Sequence, residues 1–304
     1  MTTLVLHTTD ALLRSLRRPR SDGTLILQRT LMSPNSVHPP GTFEHLSSTE
    51  IFRPDDSESN FLIIRAEVKS TNGHILDVVL KISAGSDMDD EEMLLRERDV
   101  YETHGESLAS FIPKFFGLFE TADQCVLCLV TEYCGDPLIR PLKRVERELN
   151  WKVINKAAEL HNLGFHHGHL DPRNILHNRT TGEIRFIDLM ALKPHACERK
   201  LRIKADCMIP DQIDFGCREL HELVRLSGLW KSNHLKFLDC ISVYIPSIRT
   251  VEDVLLHVPP MLIMTEAQRL AVRKAAEEFV KMVPQMIPEE SPSIQTCPAS
   301  EDVI

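Results

Sequence analysis

The sequence lacks a long hydrophobic run, since no apolar stretch approaches the roughly 18 residues that a membrane-spanning helix needs. It also lacks the basic balance typical of proteins that bind nucleic acids through the phosphate backbone, because its net charge at pH 7 is -9. The apolar stretch after Met1 is too short for a signal peptide. We therefore expect an intracellular, cytoplasmic protein that contacts neither membrane nor nucleic acid.

The eight cysteines come without a secretory signal that would favour disulfides, so we expect free thiols in a reducing compartment. Cys125 and Cys128 form a C-x-x-C motif inside a predicted strand. Their offset along a strand points the two thiols to opposite faces, which disfavours a zinc or redox role for this pair.

The sequence patterns at the two ends of the chain predict little regular secondary structure. Prolines punctuate residues 1–55, which we predict to be an irregular N-terminal arm. Residues 289–304 are acidic and contain serine and proline, and we predict a disordered acidic tail.

Between these ends, alternating patterns predict regular structure. Apolar, β-branched runs predict two hairpins, at residues 61–83 and 113–131. Periodic apolar residues predict helices at 88–103 and 145–163, and a capping box opens a helix at 265–282.

The most informative stretch is residues 164–193. It opens with a polar loop, H-G-H-L-D-P-R-N, from His167 to Asn174. Two short apolar runs follow, separated by a turn at 178–182, and predict a hairpin that ends at Asp188. Asn174 and Asp188 should therefore lie close together, and both offer the oxygen ligands that a hard divalent ion prefers.

This stretch resembles the catalytic loop and metal-binding strand of the protein kinase-like superfamily, whose patterns are H-R-D-L-x-x-x-N and D-F-G. His167 takes the first position of the loop, Asn174 the last, and Asp188 the position of the D-F-G aspartate. The form H-G-x-L-x-P-R-N looks more like fungal kinase-like proteins and aminoglycoside phosphotransferases than like ordinary protein kinases. The resemblance implies an α+β, two-lobed protein kinase-like fold. Its small, mainly β N-lobe would span residues 56–135, and its larger, mainly α C-lobe residues 136–288.

The resemblance extends to the predicted N-lobe. Lys81, in V-V-L-K-I, is similar to the strand lysine that holds the ATP phosphates. Glu97 is similar to the helix glutamate that pairs with this lysine, with Glu91, Glu92 and Glu102 as alternatives.

The connector after the second hairpin, E-Y-C-G-D-P, looks like the hinge of a kinase. The resemblance implies that backbone groups of Glu132 and Cys134 face the adenine of ATP. It also implies that Thr131 stands at the back of the pocket.

Three departures from the family pattern bear on activity. No G-x-G-x-x-G motif precedes Phe61, and no A-P-E motif follows Asp188. The loop aspartate, which is the catalytic base of the family, is replaced by His169. Asp171 lies two residues further on, and Pro172 stiffens the loop at that point.

These residues predict a protein that binds ATP and Mg²⁺ as a degenerate kinase, with His167, His169 and Asp171 in the catalytic loop. One alternative is an active phosphotransferase, acting on a protein or a small-molecule acceptor, that uses Asp171 or metal positioning alone. A third possibility is a transition-metal site built from the clustered metal-ligating residues. These are His161, His166, His167, His169, His195 and Cys197.

Overall fold

The computed structural model describes residues 3–7, 24–29, 42–52, 61–83, 88–123 and 125–286. The predicted acidic tail, residues 289–304, lies outside this range. The chain divides into two compact units. The barrel unit comprises Met1–Ile139 and Phe165–Pro194, and the helical unit comprises Arg140–Gly164 and His195–Ile304. The domain boundaries given above from sequence stay a prediction.

Seven strands of the barrel unit close into a β-barrel in the order β1-β2-β6-β7-β5-β4-β3. Strands β1 and β3 pair in parallel, and the other neighbouring strands pair antiparallel. The strands are β1 (Thr3–His7), β2 (Thr24–Arg29), β3 (Thr42–Phe52), β4 (Leu62–Ser70), β5 (Ile75–Ser83), β6 (Phe115–Glu120) and β7 (Leu127–Glu132). The two predicted hairpins are confirmed as β4–β5 and β6–β7.

The closed barrel overturns the predicted fold class. The two-lobed protein kinase-like fold, with a small mainly β N-lobe and a larger mainly α C-lobe, is wrong. The predicted irregular arm, residues 1–55, supplies β1, β2 and β3, which close the sheet. Pro40 and Pro54 lie on either side of β3 in the sequence. These prolines therefore flank a strand, and their presence does not rule out a strand between them.

The barrel core explains why residues near the N-terminus join the sheet. Leu4, Leu6 and Leu27 are almost fully buried and pack in the same cluster as Leu80 and Phe119. Leu4 and Leu6 alternate along β1, so both point to the inner face of the sheet. Burying such side chains is worth about 1.5–3 kcal/mol each, which favours closure.

The barrel unit also contains smaller elements, several of which carry the predicted site residues. They are helix α1 (Met88–His104) and strands β8 (Asp136–Pro137), β9 (Phe165–His166), β10 (Ile175–His177), β11 (Ile184–Phe186) and β12 (Lys193–Pro194). Strand β10 pairs with both β11 and β8, and β12 pairs with β9. The pairing of Ile175 with Phe186 confirms the predicted hairpin.

The helical unit consists mainly of helices. Its elements are α2 (Arg147–Asn162), α3 (Gln212–Phe215), α4 (Arg218–Ser227), β13 (His234–Phe237), β14 (Ile241–Tyr244), α5 (Val251–Leu255) and α6 (Glu266–Met286). The predicted capping box of α6 is confirmed, because the side chains of Thr265 and Gln268 each accept a hydrogen bond from the backbone amide of the other. No helix of the described residues is long and apolar enough to cross a membrane.

Gly135 allows the connector that follows β7 to come very close to the β10–β11 hairpin. Its φ is +122°, and a Cβ placed there would lie 2.6 Å from the carbonyl carbon and oxygen of His177. We expect Gly135→Ala to lower the free energy of unfolding by roughly 1–3 kcal/mol from backbone strain alone, with a further loss from this clash.

Gly73→Ala is the matched control for this prediction. Gly73 also has a positive φ, +80°, but a Cβ there would meet nothing within 4 Å. Urea unfolding of both variants should show the larger loss for Gly135→Ala. Equal losses would show that the close contact with His177 does not matter.

Candidate functional site

Three elements of the barrel unit bring charged side chains together around Lys81. Its Nζ lies 2.9 Å from Oε2 of Glu97 and 3.0 Å from Oδ1 of Asp188. Lys81 lies on β5, Glu97 on α1, and Asp188 just after β11. The predicted ion pair of Lys81 and Glu97 is confirmed, and Glu97 rather than its neighbours on α1 makes it. The role of the pair in binding nucleotide stays a prediction.

The alternation of β5 explains why Lys81 points out of the barrel. Val78, Leu80 and Ile82 are buried in the barrel core. Because successive side chains of a strand point to opposite faces, Lys81 lies on the outer face. The ammonium group is then held beside α1 instead of inside an apolar core.

The backbone of Asp188 has an unusual conformation. Its φ of 64° and ψ of 59° are left-handed, a region that few residues other than glycine adopt. The next amide, that of Leu189, donates to Oε1 of Glu97 at 3.4 Å. This hydrogen bond helps to hold the Glu97 carboxylate against Lys81. Backbone strain of the kind seen at Asp188 is often found at functional sites.

Neighbouring charges keep Lys81 and Asp188 ionised. Burial lowers the pKa of Lys81, but Glu97 and Asp188 outweigh that effect and raise it above its ordinary value. Burial also raises the pKa of Asp188, but Lys81, and after it His169, outweigh that effect and hold it below its ordinary value. One ammonium faces two carboxylates, so the site keeps negative charge that could attract a cation.

Asn174 and His169 complete the site on the other side of Asp188. The Nδ2 of Asn174 donates to the carbonyl of His169 at 3.0 Å and lies 3.5 Å from Oδ2 of Asp188. The predicted proximity of Asn174 and Asp188 is therefore confirmed. Nδ1 of His169 lies 3.3 Å from the same Oδ2, so His169 contacts the predicted metal ligand.

His167 positions the loop. It is fully buried, its Nδ1 accepts the amide of His169 at 3.2 Å, and its Nε2 lies 3.1 Å from the carbonyl of Ile187. The contact with Ile187 ties the loop to the residue just before Asp188. The structure therefore gives His167 a positioning role rather than a place among the reacting groups.

Asp171 is held within its own turn. Its Oδ1 accepts hydrogen bonds from the backbone amide and from Nε of Arg173, each at 3.0 Å. The carboxylate caps the short 3-10 turn of Pro172–Asn174. This engagement disfavours Asp171 as a substitute for the missing base.

The residues predicted to face adenine lie on and after β7. Thr131 is buried and pairs with Val79, two positions along from the pairing of Lys81 with Leu129 on the same two strands. Residues directly opposite and two apart share a face, so Thr131 and Lys81 lie on the same side of the sheet.

Glu132 and Cys134, the other two residues predicted to face adenine, make hydrogen-bonding contacts within the protein. The amide of Glu132 donates to the carbonyl of Lys114 at 2.8 Å, and the Cys134 thiol lies 3.5 Å from Oε2 of Glu132. Burial and Glu132 raise the pKa of Cys134 to about 12, so this thiol is not a nucleophile at neutral pH. Adenine binding by Thr131, Glu132 and Cys134 stays a prediction.

A surface pocket of about 380 Å³ lies elsewhere in the barrel unit. It is lined by Arg65, Tyr133, Gly135, Asp136 and residues 177–181. Neither Lys81 nor Asp188 lines it, and it lacks their combination of ammonium and paired carboxylate. We therefore place the candidate site at Lys81, because its charged groups suit a ligand better than the lining of this pocket does.

A second cluster of functional side chains lies in the helical unit. Donor atoms of His161, His195, Cys197 and Cys217 lie within 4.8 Å of one another. Of the residues predicted to form a transition-metal site, His161, His195 and Cys197 belong to this cluster, whereas His166, His167 and His169 belong to the barrel unit. Sequence reasoning missed Cys217, which lies in no recognisable metal-binding spacing.

The protonation of this second cluster is unusual. Hydrogen bonding from Cys217 outweighs burial and, with the contribution of His161, lowers the pKa of Cys197 well below its ordinary value. Burial lowers the pKa of His161, but Cys197 and Glu219 outweigh that effect and raise it to about 8.

No protein-family model matches the chain, and a comparison with curated proteins gives no match. A proposed function therefore depends on the residues and geometry described above.

Proposed function

We propose that the chain binds ATP together with Mg²⁺ at Lys81, Asn174 and Asp188, and that it is a degenerate kinase. The observation that carries this proposal is the bridge of Lys81 between Glu97 and Asp188. A lysine fixed by two carboxylates, one of them beside a loop asparagine, is the arrangement that kinase-like proteins use to hold phosphates and metal ions. The loop H-G-H-L-D-P-R-N supports the same function.

The donor set fits the two proposed ligands. The Lys81 ammonium suits a phosphate oxygen, and it is mostly buried, with a side chain only 14% exposed. The carboxylate of Asp188 and the amide oxygen of Asn174 are hard ligands of the type that Mg²⁺ prefers. When bound, Mg²⁺ would neutralise charge on the phosphates.

The loop supports binding better than turnover. His169 stands where the family has an aspartate, and its imidazole contacts Asp188. In its cationic form His169 would offset part of the charge that attracts the metal ion. With Asp171 engaged by Arg173, the loop has no carboxylate placed to orient an attacking hydroxyl.

Thermal denaturation tests the binding proposal. ATP with Mg²⁺ at 100 times the dissociation constant is expected to stabilise the parent chain by about 2.7 kcal/mol, since a ligand that binds only the folded state shifts the unfolding equilibrium by mass action. Asp188→Asn should lose most of this shift, because the amide supplies no negative charge for the cation.

Asp206→Asn is the matched control. Asp206 pairs with Arg147 in the helical unit, so its loss should leave the nucleotide shift unchanged. A parent chain that shows no shift would refute nucleotide binding. A shift of equal size in the parent and in Asp188→Asn would place the nucleotide elsewhere.

A further inference from the structure

Four metal-ligating side chains of the helical unit converge on one point. His161 lies near the end of α2, His195 and Cys197 lie in the segment after β12, and Cys217 precedes α4. One donor atom from each lies within 4.8 Å of the other three. We propose that His161, His195, Cys197 and Cys217 bind a structural zinc ion.

The distances suit tetrahedral zinc. Zinc–sulfur bonds of about 2.3 Å and zinc–nitrogen bonds of about 2.0–2.1 Å place neighbouring tetrahedral ligands roughly 3.3–3.8 Å apart. The Sγ of Cys217 and the Nδ1 of His161 are already 3.5 Å apart. Only a small contraction of the cluster would bring the four donors onto one ion.

The surroundings of His161 provide a second, independent observation. Its Nε2 lies 2.7 Å from Oε2 of Glu219, and the two side chains are 0% and 8% exposed. A histidine that donates one ring nitrogen to a carboxylate presents the other, here Nδ1, as the metal ligand. Glu219 therefore fixes the tautomer and the ring orientation that the site requires.

The donor types select the metal and its role. Two thiolates and two imidazoles in a tetrahedral arrangement are typical of zinc rather than of magnesium or calcium. Four protein ligands leave no open position for substrate, so the ion would be structural. It would link three segments of the helical unit that are distant in sequence.

Metal content tests the inference on the full-length chain. After loading with zinc chloride and dialysis against metal-free buffer, elemental analysis should find one zinc per chain. Cys217→Ser and His195→Ala should each lower retained zinc at least tenfold, because loss of a mere hydrogen-bond partner of a ligand already costs about 10–100-fold in metal affinity. Cys207→Ser, which removes another thiol of the same unit, should retain the parent content.

Measurements on the parent chain remain informative even if a variant fails to fold. Zinc should raise the melting temperature, a chelator should reverse that rise, and cobalt loaded in its place should give the charge-transfer absorption of thiolate ligands. Absence of zinc from the parent would overturn the inference, as would zinc retained by the folded double variant Cys197→Ser/Cys217→Ser. Recovery of Cys197 and Cys217 as a disulfide that zinc does not prevent would also overturn it. No nucleotide is present in these measurements, so their outcome is independent of whether the chain binds ATP.

Discussion

His169→Asp is expected to raise ATP hydrolysis, or phosphate transfer to an acceptor, by about 10²–10⁴-fold, the usual contribution of a positioned general base. The rest of the site is in place around this position. His167 holds the loop through the amide of residue 169, Asn174 holds its carbonyl, and Asp188 lies against its side chain. A carboxylate introduced there would stand where the kinase catalytic loop, which this loop resembles, has its base.

The gain should require Mg²⁺. An aspartate at position 169 would lie close to Asp188, and two neighbouring carboxylates repel each other unless a cation lies between them. Initial rates measured with and without Mg²⁺ at one pH near neutrality test this expectation. Activity that rises without Mg²⁺ would contradict the assignment of Asp188 as a metal ligand.

Two further variants separate the possible bases. His169→Asn removes the imidazole without adding a carboxylate and should give no gain. Asp171→Asn should leave the low parent rate unchanged, because Asp171 caps its own turn and pairs with Arg173. A parent chain with ordinary kinase turnover that Asp171→Asn abolishes would instead establish Asp171 as the base.

The site was more predictable from the sequence than the fold. Lys81 and Glu97 belong to adjacent elements with strong local patterns, and the β10–β11 hairpin is defined by a short turn. Asn174 and Asp188 lie on either side of that hairpin, so local pairing alone brings them together. Signals of this kind require no knowledge of distant contacts.

Closure of the barrel depends on contacts between residues far apart in sequence. Strand β2 pairs with β6 through Arg29 and Phe119, and no local sequence pattern predicts that pairing. The alternation of Leu4 and Leu6 is a short local signal for β1, and the prolines that follow it favour irregular structure. Cys217 was missed for a related reason, since only the tertiary fold brings it to His161.

Lys81→Met is expected to destabilise the chain by about 3–5 kcal/mol, because removing one partner of a buried ion pair leaves the other charge uncompensated. Glu97 is 3% exposed, and its Oε2 accepts from Lys81. Methionine keeps the length and the apolar stem of lysine, so the loss should report the charge rather than a cavity. Lys69→Met is the control, because Lys69 is exposed and a surface change of this kind is usually within about 0.5 kcal/mol.

The double variant Lys81→Met/Glu97→Gln distinguishes this explanation from lost packing. It removes the Lys81 charge together with one of the two carboxylates that Lys81→Met leaves uncompensated, so its free energy of unfolding in urea should lie closer to the parent value than that of Lys81→Met. If the double variant is instead as unstable as the sum of the two single variants, the ion pair contributes nothing beyond its separate groups.

The stability that Lys81 and Asp188 contribute through their charges should depend on pH. The lowered pKa of Asp188 means that its stabilising contribution is present above the ordinary carboxyl pKa of about 3.9 and is lost as pH falls through the folded-state value. The raised pKa of Lys81 means that its contribution is present below about 10.4 and is lost as pH rises through the folded-state value. The stability difference between the parent and Lys81→Met should therefore be constant around neutral pH and shrink in strong acid. A difference that persists unchanged after the carboxylates are protonated would show that Lys81 stabilises the chain by packing instead of by charge.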